Sequence, residues 1–86
     1  MQEHILIVED DPDGRQSLAE AVEDIGFAVT AVENGEEGAA CASEQFFDVI
    51  LCDLILPDID GLEVLKRVKC SCSEVPVIMM TAYGTV

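Results

Sequence analysis

Basic side chains are scarce in this chain. Four lysines and arginines stand against eighteen aspartates and glutamates, a formal net charge of −14. A surface of that sign repels the phosphates that a nucleic-acid-binding domain has to neutralise, so direct contact with nucleic acid is not expected. Long apolar runs are missing too. Half of the residues are apolar, yet the uninterrupted stretches are a handful of residues, far short of the roughly 20 that a membrane-spanning helix needs. The polar start Met1-Gln2-Glu3-His4 lacks the form of a signal peptide, and a cytoplasmic location without membrane association is expected. With 86 residues, the chain is expected to form one small domain around a single core. Histidine occurs once, as His4, expected on the surface just ahead of the first strand and without a role. Cys70 and Cys72 are spaced C-x-C with no histidine nearby, short of the four nitrogen or sulfur ligands of a structural zinc. Cys41, Cys52, Cys70 and Cys72 are therefore expected as reduced thiols, with Cys52 filling a buried strand position.

What the chain does have is acid placed directly after short apolar runs. Ile5-Leu6-Ile7-Val8 leads into Glu9, Asp10 and Asp11, and Val49-Ile50-Leu51-Cys52 leads into Asp53. The segments alternate between short apolar runs and helical periodicity, which implies βαβ units and a parallel sheet. The first strand is expected at Ile5 to Val8. A helix follows from Pro12, capped by Asp11, with Leu18, Ala21, Val22 and Ile25 on its inner face and Gly26 ending it. Phe27 to Val32 alternates like an edge strand. Asn34 and Glu37 suggest a capping box for a second helix with Ala39, Ala42, Ser43 and Phe46, in which Gly35 and Gly38 count against helix formation. The third strand, Val49 to Cys52, is continuously apolar, as if covered on both faces. Asp60 with Glu63 caps a third helix whose inner stripe is Gly61, Val64, Leu65 and Val68, with Lys66, Arg67 and Lys69 in its last turn. A fourth strand runs from Val75 to Met80.

In a parallel sheet of this kind, both acidic groups leave the carboxyl ends of buried strands at the same edge, where open α/β folds bind ligands. Roles as helix caps and solvated loop residues account well for Asp11, Asp13, Asp58 and Asp60. They do not account for Asp10 and Asp53, because charge at the end of a buried strand needs compensation. Clustered carboxylates of Glu9, Asp10 and Asp53 repel one another, so either one is protonated or a hard divalent cation, Mg²⁺ above all, sits among them. Glu9, Asp11, Asp13, Gly14 and Glu20 also match much of a calcium-binding EF-hand loop. That loop follows a helix, however, whereas this one follows a strand and runs into Pro12 and a helix with its own apolar stripe.

The motifs Ile5-Leu6-Ile7-Val8-Glu9-Asp10-Asp11, Asp48-Val49-Ile50-Leu51-Cys52-Asp53, Leu56-Pro57-Asp58-Ile59-Asp60-Gly61 and Pro76-Val77-Ile78-Met79-Met80-Thr81-Ala82 resemble the receiver domain of bacterial two-component response regulators. The ending through Tyr83 looks like receivers attached to enhancer-binding AAA+ transcription activators. The resemblance implies a flavodoxin-like (CheY-like), doubly wound parallel sheet of order 2-1-3-4 over residues 1–86, with the family's fifth strand and last helices absent. It implies a phosphoacceptor module rather than an enzyme, with Asp53 as acceptor. Glu9, Asp10, Asp53 and the backbone carbonyl of Ile55 would hold Mg²⁺. Thr81 would supply a switch hydroxyl, and Tyr83 is a candidate rotamer switch. The implied partners are a sensor histidine kinase and an output domain of the parent protein. The family's lysine after the fifth strand has no counterpart here, since Lys66, Arg67 and Lys69 fall at the far end of the third helix. An interaction module that signals without phosphorylation is therefore the alternative. The fourth strand, left as an apolar edge, is expected to promote self-association, as a homodimer or by strand exchange.

Overall fold

The structure, a computed structural model, describes residues 2–71 and 74–80. Among the described residues seven elements alternate: β1 (His4–Val8), α1 (Pro12–Ile25), β2 (Ala28–Val32), α2 (Gly35–Glu44), β3 (Val49–Asp53), α3 (Gly61–Ser71) and β4 (Val77–Met80). The strands form one parallel sheet in the order β2-β1-β3-β4, with Val8 level with both Val32 and Cys52. This is the expected order, and β2 is an edge strand as its alternation suggested. Among the described residues, no helix is long and apolar enough to cross a membrane.

The central strand β1 divides the core. Leu6 and Val8 face Ala42, Phe47, Ile50, Cys52, Val64 and Val68 on the side covered by α2 and α3. Ile5 and Ile7 point the other way, onto Val22 of α1 with Leu18, Ala19 and Phe27 around it. Full burial of each Val, Leu or Ile side chain is worth about 1.5–3 kcal/mol, so this strand anchors both layers. β3 is covered less evenly than its apolarity suggested. Ile50 and Cys52 are buried while Val49 and Leu51 are half-buried, because α1 packs over β1 and β2. An apolar groove lined by Ile5, Val22, Phe27, Val49 and Leu51 remains there.

Several boundaries move for local reasons. Gly26 closes α1 in the left-handed region at φ 119°, its N–H donating to Glu23 and that of Phe27 to Val22, a Schellman arrangement. Phe27 is thereby held to the helix end and β2 starts one residue later. Phe27, rather than Ile25, packs on the α1 side of the core, and Ile25 is 72% exposed; Ala21 is exposed as well. α2 ends at Glu44 because Gln45 turns extended, so it is Phe47, not Phe46, that enters the core. In α3, Gly61, Val64 and Val68 are buried and Leu65 half-buried, and only Lys69 of the three bases lies in the last turn. Its ammonium donates to the carbonyl of Val75 at 2.6 Å. β4 begins at Val77, and the carbonyl of Pro76 just before it accepts from Ile50. His4, expected on the surface, opens β1 half-buried: its Nε2 lies 2.7 Å from Thr30 Oγ1, and its ring contacts Phe47.

Gly38 explains a helix that its own sequence disfavours. A Cβ there would lie 2.7 Å from Cγ2 of Val8, so glycine lets α2 pack directly onto β1. Cys52 has the expected buried position, fully enclosed. Burial, reinforced by the charges of Asp53 and Glu9, pushes its thiol from 9.0 up to about 12. A thiol that holds its proton more tightly when folded contributes stability in full below pH 9.0 and loses it as the pH climbs from there through about 12. The melting temperature should therefore fall above pH 9.0 more steeply in the natural chain than in Cys52→Ala, as followed by circular dichroism. Parallel slopes would show that the thiol does not contribute.

Candidate metal and phosphoacceptor site

The sheet edge brings the acids together. Val8 pairs with Cys52, so the residues that follow, Glu9 and Asp53, emerge side by side. Carboxylate oxygens of Glu9, Asp10 and Asp53 all lie within 4.8 Å of one another. Their environments differ: Asp53 is 2% exposed, Glu9 half-buried and Asp10 exposed. Asp53 is the buried charged residue among the described ones. Its Oδ1 accepts the N–H of Ile55 at 3.2 Å, which folds the start of the β3–α3 loop back over the carboxylate.

Glu9 carries the electrostatic tension of the cluster. Burial pushes its carboxyl above the ordinary 4.5, and the charges of Asp53 and Asp10 push the same way, against the N–H of Asp11 that favours the anion. That N–H donates to Glu9 Oε2 at 3.1 Å. Neither arginine forms an ion pair with the three acids: Arg15 pairs with Glu33 at 3.9 Å, and Arg67 with Glu36 and Glu63 at 2.9 and 3.1 Å. Three close carboxylates with purely oxygen ligands fit a hard cation such as Mg²⁺, and they lack the nitrogen or sulfur that zinc prefers.

Asp11, Asp60 and Asp58 act as helix caps, one of them in an unexpected place. Asp11 accepts from Gly14 N–H at 2.7 Å and Asp60 from Glu63 N–H at 2.8 Å, at the starts of α1 and α3. Asn34 caps α2 through Glu37 N–H, and Glu37 reaches back to Glu33 N–H and the Asn34 side chain. Asp58 reaches across to α2 as well, accepting from Gly35 and Glu36 N–H at 2.8 and 2.7 Å. Desolvation works against its anion, but these donors outweigh it and hold the carboxyl below its usual range. Asp58 thus fastens the loop after Asp53 to the neighbouring helix. Nothing in the local sequence shows this, because the partners are more than twenty positions away.

The family model for the response regulator receiver domain matches residues 5–86. The chain belongs to the response regulator receiver domains. Among curated relatives, the uncharacterized transcriptional regulatory protein YkoG of Bacillus subtilis (strain 168) is 41% identical over 83 residues, 96% of this chain and 36% of that protein. The chain thus spans about a third of the length of such relatives. Among solved structures, the response regulator TrrA of Thermotoga maritima, in complex with Mg²⁺-BeF, superposes with a TM-score of 0.91 at 32% identity, covering 95% of this chain and 71% of that one. The receiver domain of sensor histidine kinase PA1611 from Pseudomonas aeruginosa PAO1, with a magnesium ion coordinated in its active-site cleft, gives 0.91 at 31% identity, covering 95% and 69%.

Of the site residues expected in this receiver, Glu9, Asp10 and Asp53 come together and Ile55 is held beside Asp53. Met80 pairs with Asp53 in the sheet. Thr81 and Tyr83 lie outside the described residues, as does Cys72.

Proposed function

We propose that this receiver takes a phosphoryl group from a sensor histidine kinase onto Asp53, using Mg²⁺ held by Glu9, Asp10, Asp53 and the backbone carbonyl of Ile55. The observation that carries this reading is the buried Asp53 carboxylate at the end of β3, within 4.8 Å of Glu9 and Asp10. The magnesium bound in the TrrA complex and in the active-site cleft of the PA1611 receiver supports the choice of ion. When bound, Mg²⁺ would offset the repulsion between the acids and an anionic phosphodonor.

Asp53 is then the nucleophile. One of its carboxylate oxygens bonds to phosphorus while the bond from phosphorus to the donor's leaving group breaks, and the donor group departs with that electron pair. The Ile55 N–H bond to Oδ1 fixes the carboxylate plane before the donor arrives. The product places added negative charge at the sheet edge. In this reading the hydroxyl of Thr81 responds by hydrogen-bonding to the phosphoryl group, and the change is passed to an output domain. Turning such a switch from mostly off to mostly on takes a differential stabilisation on the order of 5 kcal/mol.

The test compares neighbours. In a Mg²⁺ titration followed by amide chemical shifts, Asp10→Asn should lose most of the affinity, while Asp11→Asn, which alters a helix cap, should lose little. Equal losses would remove Asp10 from the ligand set.

A further inference from the structure

Arg15 is the single basic residue outside α3, and its guanidinium lies beside the acid cluster without engaging any of its carboxylates. The side chain leaves the start of α1 and runs back along the helix toward its N-terminus, as helical side chains do. There Nη1 donates to the carbonyl of Glu9 at 3.0 Å and lies 3.4 Å from that of Asp10. These carbonyls belong to the stretch where the chain leaves the sheet: the β1 pairing ends at Val8, and the N–H of Glu9 still donates to the Val32 carbonyl at 3.1 Å. The peptide between Asp10 and Asp11 is held at both ends, its carbonyl by Arg15 and its N–H by the Glu9 carboxylate. On its other side, Nη2 of Arg15 lies 3.9 Å from Glu33, on the loop between β2 and α2.

We propose that Arg15 is a positioning residue for the metal site, holding the Glu9 and Asp10 peptides so that their carboxylates converge with Asp53. The inference rests on the Mg²⁺ reading above. Charge alone would give the opposite result, since a guanidinium near a divalent site repels the ion and its removal should tighten binding. Orientation of ligands works the other way. Loss of a group that orients a metal ligand from outside usually costs 10–100-fold in affinity, and the partial exposure of Arg15 places the expectation at the low end, about tenfold.

The experiment titrates Mg²⁺ into the natural chain and into Arg15→Ala, Arg15→Gln, Arg15→Lys and Glu33→Gln, following amide chemical shifts, with melting recorded for each. Arg15→Ala should bind about tenfold more weakly. Arg15→Lys should recover part of the loss, and Glu33→Gln, which leaves both carbonyl contacts in place, should stay within about twofold. In the metal-free state, hydrogen exchange at the Asp10 and Asp11 amides should quicken in Arg15→Ala while the core amides keep their protection, a local effect that a general loss of stability would not produce. If Arg15→Ala does not fold, weakened binding by folded Arg15→Gln carries the same conclusion. Unchanged or tighter binding by the folded variants, with Asp10→Asn still losing the ion, would overturn the role of Arg15 alone. Failure of the natural chain to bind Mg²⁺ would overturn both the site reading and this inference.

Discussion

Asp53→Asn should reduce phosphoryl uptake to background while leaving the fold intact. The substitution keeps the shape of the side chain and an oxygen able to accept the Ile55 N–H bond, now made to Asp53 Oδ1 at 3.2 Å. What it removes is the anionic oxygen that attacks phosphorus. Stability should be unchanged or slightly higher, because a buried negative charge is lost from a cluster in which the Asp53 charge helps to raise the Glu9 carboxyl. With that charge gone, Glu9 should titrate at lower pH than in the natural chain. Incubation with Mg²⁺ and acetyl phosphate, followed by intact-mass spectrometry, reads the first effect. Thermal melting and carboxyl NMR shifts read the other two. Continued labelling of the variant would place the acceptor elsewhere, and absence of labelling in the natural chain would favour an interaction module that signals without phosphorylation.

Gly61→Ala should damage both the fold and the site, although it adds a single methyl group at the start of a helix. A Cβ at Gly61 would sit inside contact distance of the Asp53 carbonyl oxygen, 2.7 Å from Cε of Met79 and 2.8 Å from Cα of Leu54. The methionine tip can move. The two backbone atoms cannot do so without shifting the end of β3, and the Gly61 N–H bond to Leu54 O at 2.9 Å ties helix and loop together at that point. Forcing extra atoms into such a contact costs roughly 1–3 kcal/mol. For a domain of this size each kcal/mol lowers the melting temperature by about 4–8 °C. Since the displaced backbone carries Asp53 and leads into Ile55, Mg²⁺ affinity should fall along with the melting temperature. A variant that melts and binds Mg²⁺ like the natural chain would show that the loop relaxes freely around the added methyl.

Both expectations rest on residues whose type was legible in the chain and whose neighbours were not. Asp53 stood out because a carboxylate at the end of a continuously apolar strand is costly without compensation, and Glu9 and Asp10 stood out for the same reason after β1. Gly61 read as the first residue of the third helix's inner stripe, while its close approach to Asp53 depends on where α3 starts relative to β3. Gly38 read as a defect in a helix and is the contact that lets α2 reach Val8. Asp58 read as a loop acid and caps a helix 22 and 23 positions away. Arg15 gave a weak local signal, a lone base one turn into a helix that follows the acidic segment, but its carbonyl partners become apparent only once the chain has turned away from the sheet.

The order of elements, their capping residues and the acids at two strand ends were determined by the sequence itself, because they depend on local propensity, hydrophobic period and spacing. Tertiary structure decided how far each layer is covered, which of two adjacent phenylalanines enters the core, where Gly26 releases the chain into β2 and which loop an acid or an arginine fastens. Those outcomes follow from contacts between segments distant along the chain, where close packing admits one arrangement and the local pattern admits several.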